Sequence, residues 1–295
     1  MNLWSLATDR VRIVGEAVAC IVARDRYLAE DALDYIEVEY DILEPVVDPV
    51  AAAAMDAPRI HPDAGPNVMS EREYTYGDPD KAFAECDKVV DLTIDFPRNS
   101  HTPIECYVVV AEYHAGEGHY DVLSNFQGPF SVHPVMCRAL RIQNSKLRLR
   151  TPALSGGGFG IKVAVFPYIV LMSIAARITG KPVKWVEDRL EHLAAATAAP
   201  NRVVNLQAAA MKNGRVTGFR YHQTDDYGAY LRAPMPGPLV RMHGVMTGAY
   251  DVKNLYIHNQ LVMTNKCPSG MVRGFGGPQM YYALERVMHL SLIHI

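Results

Sequence analysis

The chain has 295 residues, 49% of them hydrophobic and 21% charged, with a formal net charge of −3. Such a length allows one large or two ordinary domains. The composition excludes both a disordered chain and a membrane bundle, and the near-neutral balance without a block of like charge lacks the basic footprint of a nucleic-acid binder. A small molecule is the expected partner, with no nucleic acid and no membrane. Five cysteines, Cys20, Cys86, Cys106, Cys137 and Cys267, contain no C-x-x-C pair. They form neither a disulfide framework nor an iron–sulfur ligand run, so free thiols in a reducing compartment are expected. The opening residues show no basic region followed by a long apolar core, and the expected location is the cytoplasm.

In chain order, residues 11–24 alternate as a strand with Val18, Cys20 and Val22 on one face, Leu28 to Tyr35 has helical spacing, and Ile36 to Tyr40 alternates again. A small strand–helix–strand module over residues 1–57 is predicted, closed by a short helix near Ala51 to Met55. Residues 58–72, with Pro58, Pro62, Gly65 and Pro66, read as a linker. A second domain is predicted over 73–290. It opens on a helix N-capped by Asp78 with Pro79 at the first position. Strands follow at Val90 to Phe96, Ile104 to Tyr113, Tyr120 to Asn125, Lys146 to Thr151, Val203 to Met211, Arg215 to His222 and Leu255 to Thr264. Asn213-Gly214 supplies a tight hairpin turn between two of them. Helices are predicted at Phe130 to Arg141, Val163 to Thr179 and Gln279 to Leu290, with a helical segment in the alanine-rich 194–199. The apolar Val163 to Thr179 is shorter than the roughly 20 residues that span a bilayer and reads as a core helix. The fold class is α+β.

Two motifs carry chemistry. Ser155-Gly-Gly-Gly-Phe-Gly-Ile-Lys162 follows a strand and precedes a helix, where bare backbone amides and a helix N-terminus favour an anionic ligand. It is neither a Walker loop nor a G-x-G-x-x-G turn, and on this motif alone a tight structural turn is an equal alternative. Arg273-Gly-Phe-Gly-Gly-Pro-Gln279 places an aromatic ring between glycines beside an arginine that suits oxyanions. Phe159 and Phe275, each flanked by glycine at a strand-to-helix junction, together suggest a flat, electron-poor ligand. The histidines lack metal-ligand spacing, and ordinary hydrogen-bonded roles are expected. Asp225-Asp226 reads as a strand end with side chains on opposite faces.

These two motifs, with Val11-Arg-Ile-Val-Gly-Glu-Ala-Val-Ala19, His101-Thr-Pro-Ile-Glu105 and Pro182-Val-Lys-Trp-Val-Glu-Asp-Arg189 in the same order, resemble the molybdenum-cofactor-binding large subunit of the xanthine dehydrogenase/aldehyde oxidase family over roughly Thr8 to Leu290. The resemblance implies a partial α/β hammerhead domain followed by the first molybdopterin-binding domain. It implies a molybdenum-pterin cofactor, as molybdopterin or its cytosine dinucleotide form, held by Gln127, Gly158, Phe159, Gly160 and Arg273, with no direct protein ligand to the metal. Phe275 is implied to stack on substrate and Arg241 to polarise it; a solvated arginine is the alternative at Arg241. The implied activity is hydroxylation of aldehydes or N-heterocycles with water as oxygen source, with electrons leaving through Fe–S and FAD groups on an iron–sulfur subunit and a flavin subunit. The family's general base, a glutamate in Gly-x-Gly-Glu, is expected beyond the C-terminus. The chain therefore reads as truncated at both ends, with 291–295 an atypical tail. The alternative is an inactive remnant or a non-redox ligand-binding module. Two departures bear on substrate: Val163 stands where purine-oxidising members have Glu after the loop lysine, which disfavours xanthine, and Arg273-Gly-Phe-Gly holds no cysteine where carbon monoxide dehydrogenases of the superfamily carry one for copper, which disfavours carbon monoxide.

Overall fold

Two mixed sheets, each backed by helices, build the part of the chain that the sequence marks as rich in strands. The computed structural model describes residues 5–232 and 241–294. The larger sheet contains β1 (Val68–Tyr76), β2 (Lys88–Phe96), β7 (Asn201–Ala210), β8 (Val216–Asp226) and β9 (Asn254–Val262), in the order β1-β9-β8-β7-β2. Only β8 and β9 pair in parallel. The smaller sheet has β3 (Val108–His114), β4 (His119–Ser124), β5 (Leu147–Arg150) and β6 (Val183–Val186), in the order β5-β4-β3-β6, with β4 and β5 parallel.

The sequence explains most of these elements. Alternation along β2 buries Val90 and Ile94, one face of a strand at period two. Gly214, at φ +84°, turns β7 into β8, as Asn213-Gly214 predicts. Asp78 caps α3 (Pro79–Ala84) by accepting from the Lys81 N–H at 2.9 Å, with Pro79 at the first position. Helix α4 (Pro129–Leu140) ends at Arg141 in the left-handed region. The long apolar helix α5 (Phe166–Thr179) is a core helix as expected, most of the apolar stretch from Ile161 to Thr179 being buried against the smaller sheet. Helix α7 (Gly277–His294) covers one face of the larger sheet, burying Met280, Ala283, Leu284 and Val287 against Phe219 and Leu206. Ser291 to His294 simply continue this helix, and Ser291 is fully buried.

Four expectations need correction. The N-terminal strand–helix–strand module lacks its strands and has its helix, α1 (Arg26–Asp31), extended by a 3-10 turn over Ala32–Tyr35, with a short closing helix α2 (Pro49–Ala52). Residues 11–24 and 36–40 pair with no other strand among the described residues, and Val18, Val22, Val38 and Tyr40 are exposed. Alternation supplies an apolar face, but a strand also needs a neighbour for its N–H and C=O groups. Second, the proline-rich stretch is packed: Ile60, His61 and Asn67 are buried, the Asn67 amide donates to Ala52 O and Pro58 O while its oxygen accepts from Ile60 N–H, and β1 begins at Val68. Third, β3 starts only at Val108, leaving Ile104 94% exposed and Glu105 free of the ladder. Fourth, the alanine-rich segment leaves the helix after α6 (Arg189–Ala195), and Ala198 bridges to Ser269 instead.

Buried charge joins the β-strands of the larger sheet. Arg202 on β7 donates to both oxygens of Asp225 on β8, at 2.7 and 3.0 Å, and Asn259 on β9 donates to the same carboxylate at 2.7 Å. Asp226, facing the other way, accepts from Thr264 Oγ1 and Gly228 N and pairs with Lys266.

Candidate cofactor site

The glycine-rich loop lies between β5 and α5, entering the helix through a buried 3-10 turn over Ile161–Val165. Three backbone angles in it are positive: Gly157 at +94°, Phe159 at +54° and Gly160 at +102°. Glycine adopts that region freely, whereas Phe159 does so at a cost, and such strain persists only where the surroundings over-determine it. Those surroundings are close. A Cβ at Gly156 would lie 2.5 Å from the Glu105 Cβ, one at Gly158 2.6 Å from Gln127 Oε1, and one at Gly160 2.4 Å from Met271 O. The glycines thus admit neighbouring protein groups against the loop, a use that the motif by itself does not reveal.

Gln127, just after β4, accepts the Gly160 N–H through Oε1 at 2.9 Å. The Tyr107 hydroxyl donates to Ile161 O at 2.9 Å. Glu105 Oε2 accepts from the Gly156 N–H at 3.0 Å, from Ser155 Oγ at 3.3 Å, and from the ammonium of Lys162, which is fully buried. Burial would raise the Glu105 carboxyl, but Lys162, the Asn125 amide and the Gly156 N–H outweigh it and hold its pKa at about 2. Glu105 and Lys162 had no role assigned from sequence. The available signal was that Lys162 is the last charge before an uncharged run reaching Arg177, a place where a buried lysine needs a partner.

The second motif meets the first. Arg273 N donates to Phe159 O at 2.8 Å, and the Arg273 guanidinium lies 5.1 Å from the centre of the Phe159 ring, a cation–π distance. His101 meets the same ring edge-on at 5.8 Å. Gln127, Gly158, Phe159, Gly160 and Arg273 are therefore gathered in one place. Phe275, two residues beyond Arg273, is half-buried. Arg241 begins the 3-10 turn Arg241–Val245; its side chain lies outside the described residues. The next residue, Met242, sits 3.9 Å from where a Cβ at Gly277 would stand, which puts this turn beside the second motif.

Among the described residues, no acceptor takes the N–H of Gly157, Gly158 or Phe159. Positive φ at Gly157 and Phe159 with a non-positive φ at Gly158 between them is the alternation that lets consecutive amides form an anion-binding nest. With the exposed guanidinium of Arg273 beside it, the loop fits a ligand bearing oxo or phosphate oxygens. Val163 is buried, and its methyl group lies 3.8 Å from where a Cβ at Gly128 would stand.

Spacing did not reveal one cluster. Cys106, Glu187 and His192 place potential ligand atoms within 4.8 Å of one another. Glu187 Oε2 already serves the Tyr107 N–H at 2.9 Å and His192 Nδ1 at 2.7 Å, the arrangement of a structural tie, and no metal role is assigned to it.

Comparison with known proteins bears on this geometry. Residues 60–291 match the family model of the molybdopterin cofactor-binding domain, and residues 2–44 match that of the aldehyde oxidase and xanthine dehydrogenase a/b hammerhead domain. Over 98% of its length the chain is 35% identical to the nicotine 6-hydroxylase large subunit of Paenarthrobacter nicotinovorans, covering 35% of that protein. It is 32% identical over 96% of its length to the carbon monoxide dehydrogenase large chain of Hydrogenophaga pseudoflava, covering 37% of it. Among solved structures, quinoline 2-oxidoreductase from Pseudomonas putida 86 superposes with a TM-score of 0.89 at 31% identity, over 97% of this chain and 37% of that one. The chain thus spans a little over a third of the length of such relatives.

Proposed function

The chain belongs to the molybdenum-cofactor-binding large subunits of the xanthine dehydrogenase/aldehyde oxidase family, and from that premise we propose that it forms one wall of the cofactor pocket in a hydroxylase acting on electron-poor N-heterocycles or aldehydes. The observation that carries the reading is the meeting of the two glycine-flanked motifs, with three uncommitted amides and Arg273 on one side. Residues 1–57 are assigned to a partial hammerhead domain, and the first cofactor-binding domain, which the sequence reading began at 73, is assigned to begin with β1 at Val68.

The site residues divide the work. The amides of Gly157, Gly158 and Phe159 and the Arg273 guanidinium hold anionic oxygens of the molybdenum-pterin cofactor. Because Gln127 Oε1 is committed to Gly160, its NH2 group is the donor left for an oxygen of the cofactor. When bound, the cofactor supplies two-electron oxidation of the substrate carbon, with water as the source of oxygen. Phe275 stacks on a flat substrate, and Arg241 withdraws charge from it. The base that takes the proton is a glutamate contributed by another part of the protein, since Gly-x-Gly-Glu does not occur in these 295 residues. Electrons pass to iron–sulfur and FAD groups on partner subunits, and the assembly works in the cytoplasm.

N-heterocycles other than purines are favoured, because relatives are named for nicotine, nicotinate and quinoline and because apolar Val163 gives an oxidised purine no hydrogen bond. The test is oxidation of quinoline, nicotinate and benzaldehyde by the assembled enzyme with an artificial electron acceptor. Turnover of at least one, with oxygen incorporated from labelled water, is the expected result. Binding of these compounds by an assembled protein that contains no molybdenum would favour a non-redox ligand-binding module.

A further inference from the structure

The glycine-rich loop is closed across its neck by two ionised side chains, Glu105 and Lys162, to which the reading above gives no task. Lys162 has no exposed surface. An ammonium buried in this way needs an opposite charge, and Glu105 is its recorded partner. Such pairs seldom add stability over apolar residues of equal volume, so stability alone does not account for it. The geometry does. One oxygen, Glu105 Oε2, receives Ser155 Oγ, the Gly156 N–H and Lys162 Nζ. It therefore fastens the beginning of the loop to its end. The Glu105 N–H donates in turn to Gly156 O at 3.4 Å, and only glycine at 156 lets Glu105 approach so near.

We propose that the Glu105–Lys162 pair is a positioning latch that holds the loop in the shape presenting the Gly157, Gly158 and Phe159 amides together. This deepens the cofactor reading and rests on it. Phe159 stays in the left-handed region only under constraint. The Tyr107 and Gln127 bonds constrain the loop at Ile161 and Gly160, whereas among the described residues the hydrogen bonds that reach Ser155 and Gly156 from outside the loop come from Glu105, through its carboxylate and its N–H. Glu105 is free to do so because the β3 ladder starts three residues later, at Val108.

The experiment is amide hydrogen exchange, with molybdenum and pterin analysis, on the assembled enzyme carrying Lys162→Met, Glu105→Gln or both. Glu105→Gln strands the buried Lys162 ammonium and is expected to lower expression, whereas Lys162→Met leaves a part-exposed Glu105 that keeps its Ser155 and Gly156 donors. The double variant removes both charges at nearly constant volume and is the informative one. Its amides over 155–160 are expected to exchange about tenfold faster while β7 and β8 keep the parent's protection, and its cofactor content is expected to fall about tenfold or more. A purely structural pair would loosen loop and sheet together, and that result contradicts the proposal. So does parental loop exchange in the double variant. Loss of cofactor with an unchanged loop also contradicts it, since Glu105 or Lys162 would then touch the cofactor directly. A parent enzyme without molybdenum would defeat the cofactor reading, and the exchange rates would still decide the latch.

Discussion

Gly160 combines a φ of +102° with a neighbour, Met271 O, standing 2.4 Å from the place of a Cβ. Alanine there has to strain the backbone, at about 1–3 kcal/mol, and push the Arg273 segment away. Gly160→Ala is expected to lose most of its molybdenum and to melt several degrees lower, measured by metal analysis and thermal unfolding of the same preparation. At Gly158 the obstacle is the end of a side chain, Gln127 Oε1. Gly158→Val is accordingly expected to displace Gln127 and reduce cofactor content with a smaller loss of stability. Phe275 tests the other side of the site. Phe275→Ala is expected to lower turnover of an aromatic substrate about two- to tenfold while molybdenum stays at the parent's level, because an aromatic stack contributes about 0.5–1.5 kcal/mol beyond burial. Loss of molybdenum in that variant would move Phe275 from substrate to cofactor. At this scale the sequence displayed the loop glycines, Phe159 and Arg273, because small residues and motif order are visible in one dimension, while Gln127 came only from the family resemblance. Their reason was not: Gly156, Gly158 and Gly160 accommodate Glu105, Gln127 and Met271, and all three of those neighbours lie over 25 residues away.

Between elements, the main electrostatic tie is Arg202 to Asp225, both at most 1% exposed. Removing one partner leaves a buried charge alone, at a cost of about 3–5 kcal/mol. Asp225→Asn is expected to destabilise the enzyme by that amount in urea unfolding, and Arg202→Met with Asp225→Leu to recover much of the loss. Recovery would mark the pair as a device of sheet register; equal loss would mark it as indispensable to stability. The legible elements were those with local causes: the Asp78 and Pro79 start of α3, the Asn213-Gly214 hairpin, and the apolar α5. Where the cause is distant, local pattern misleads. Residues 11–24 alternate like a strand but have no pairing partner among the described residues, and the proline-rich stretch holds Asn67, whose amide and oxygen are spent on Ala52, Pro58 and Ile60. The parallel pairing of β8 with β9 has no signature in either strand.

For the whole molecule, burial beneath the larger sheet, with Arg202 near, pushes the His243 imidazole down to about 4. An unfolded histidine titrates near pH 6.5. Between those values the unfolded chain binds a proton that the folded chain refuses, so this contribution is complete above about pH 6.5 and is lost as pH falls toward 4, by at most about 3 kcal/mol. Comparing urea midpoints of parent and His243→Gln between pH 7 and 4.5 isolates it; equal pH slopes would contradict the burial of a neutral imidazole. The proposed cofactor site, by contrast, is open. Phe159 is 37% exposed and Arg273 lies at the surface, so water reaches the wall they form and weakens each contact to a ligand. The 295-residue chain by itself is thus expected to hold little cofactor and to show no hydroxylase activity, and the central claim has to be tested in the assembled enzyme. The decisive measurement is molybdenum and pterin per chain in that enzyme, purified from cells that make the cofactor, for the parent and for Gly160→Ala. One molybdenum and one pterin per chain in the parent, with both largely lost from the variant, is the expected result; a parent without molybdenum, or a variant that keeps it in full, would contradict the assignment of these loops to the cofactor.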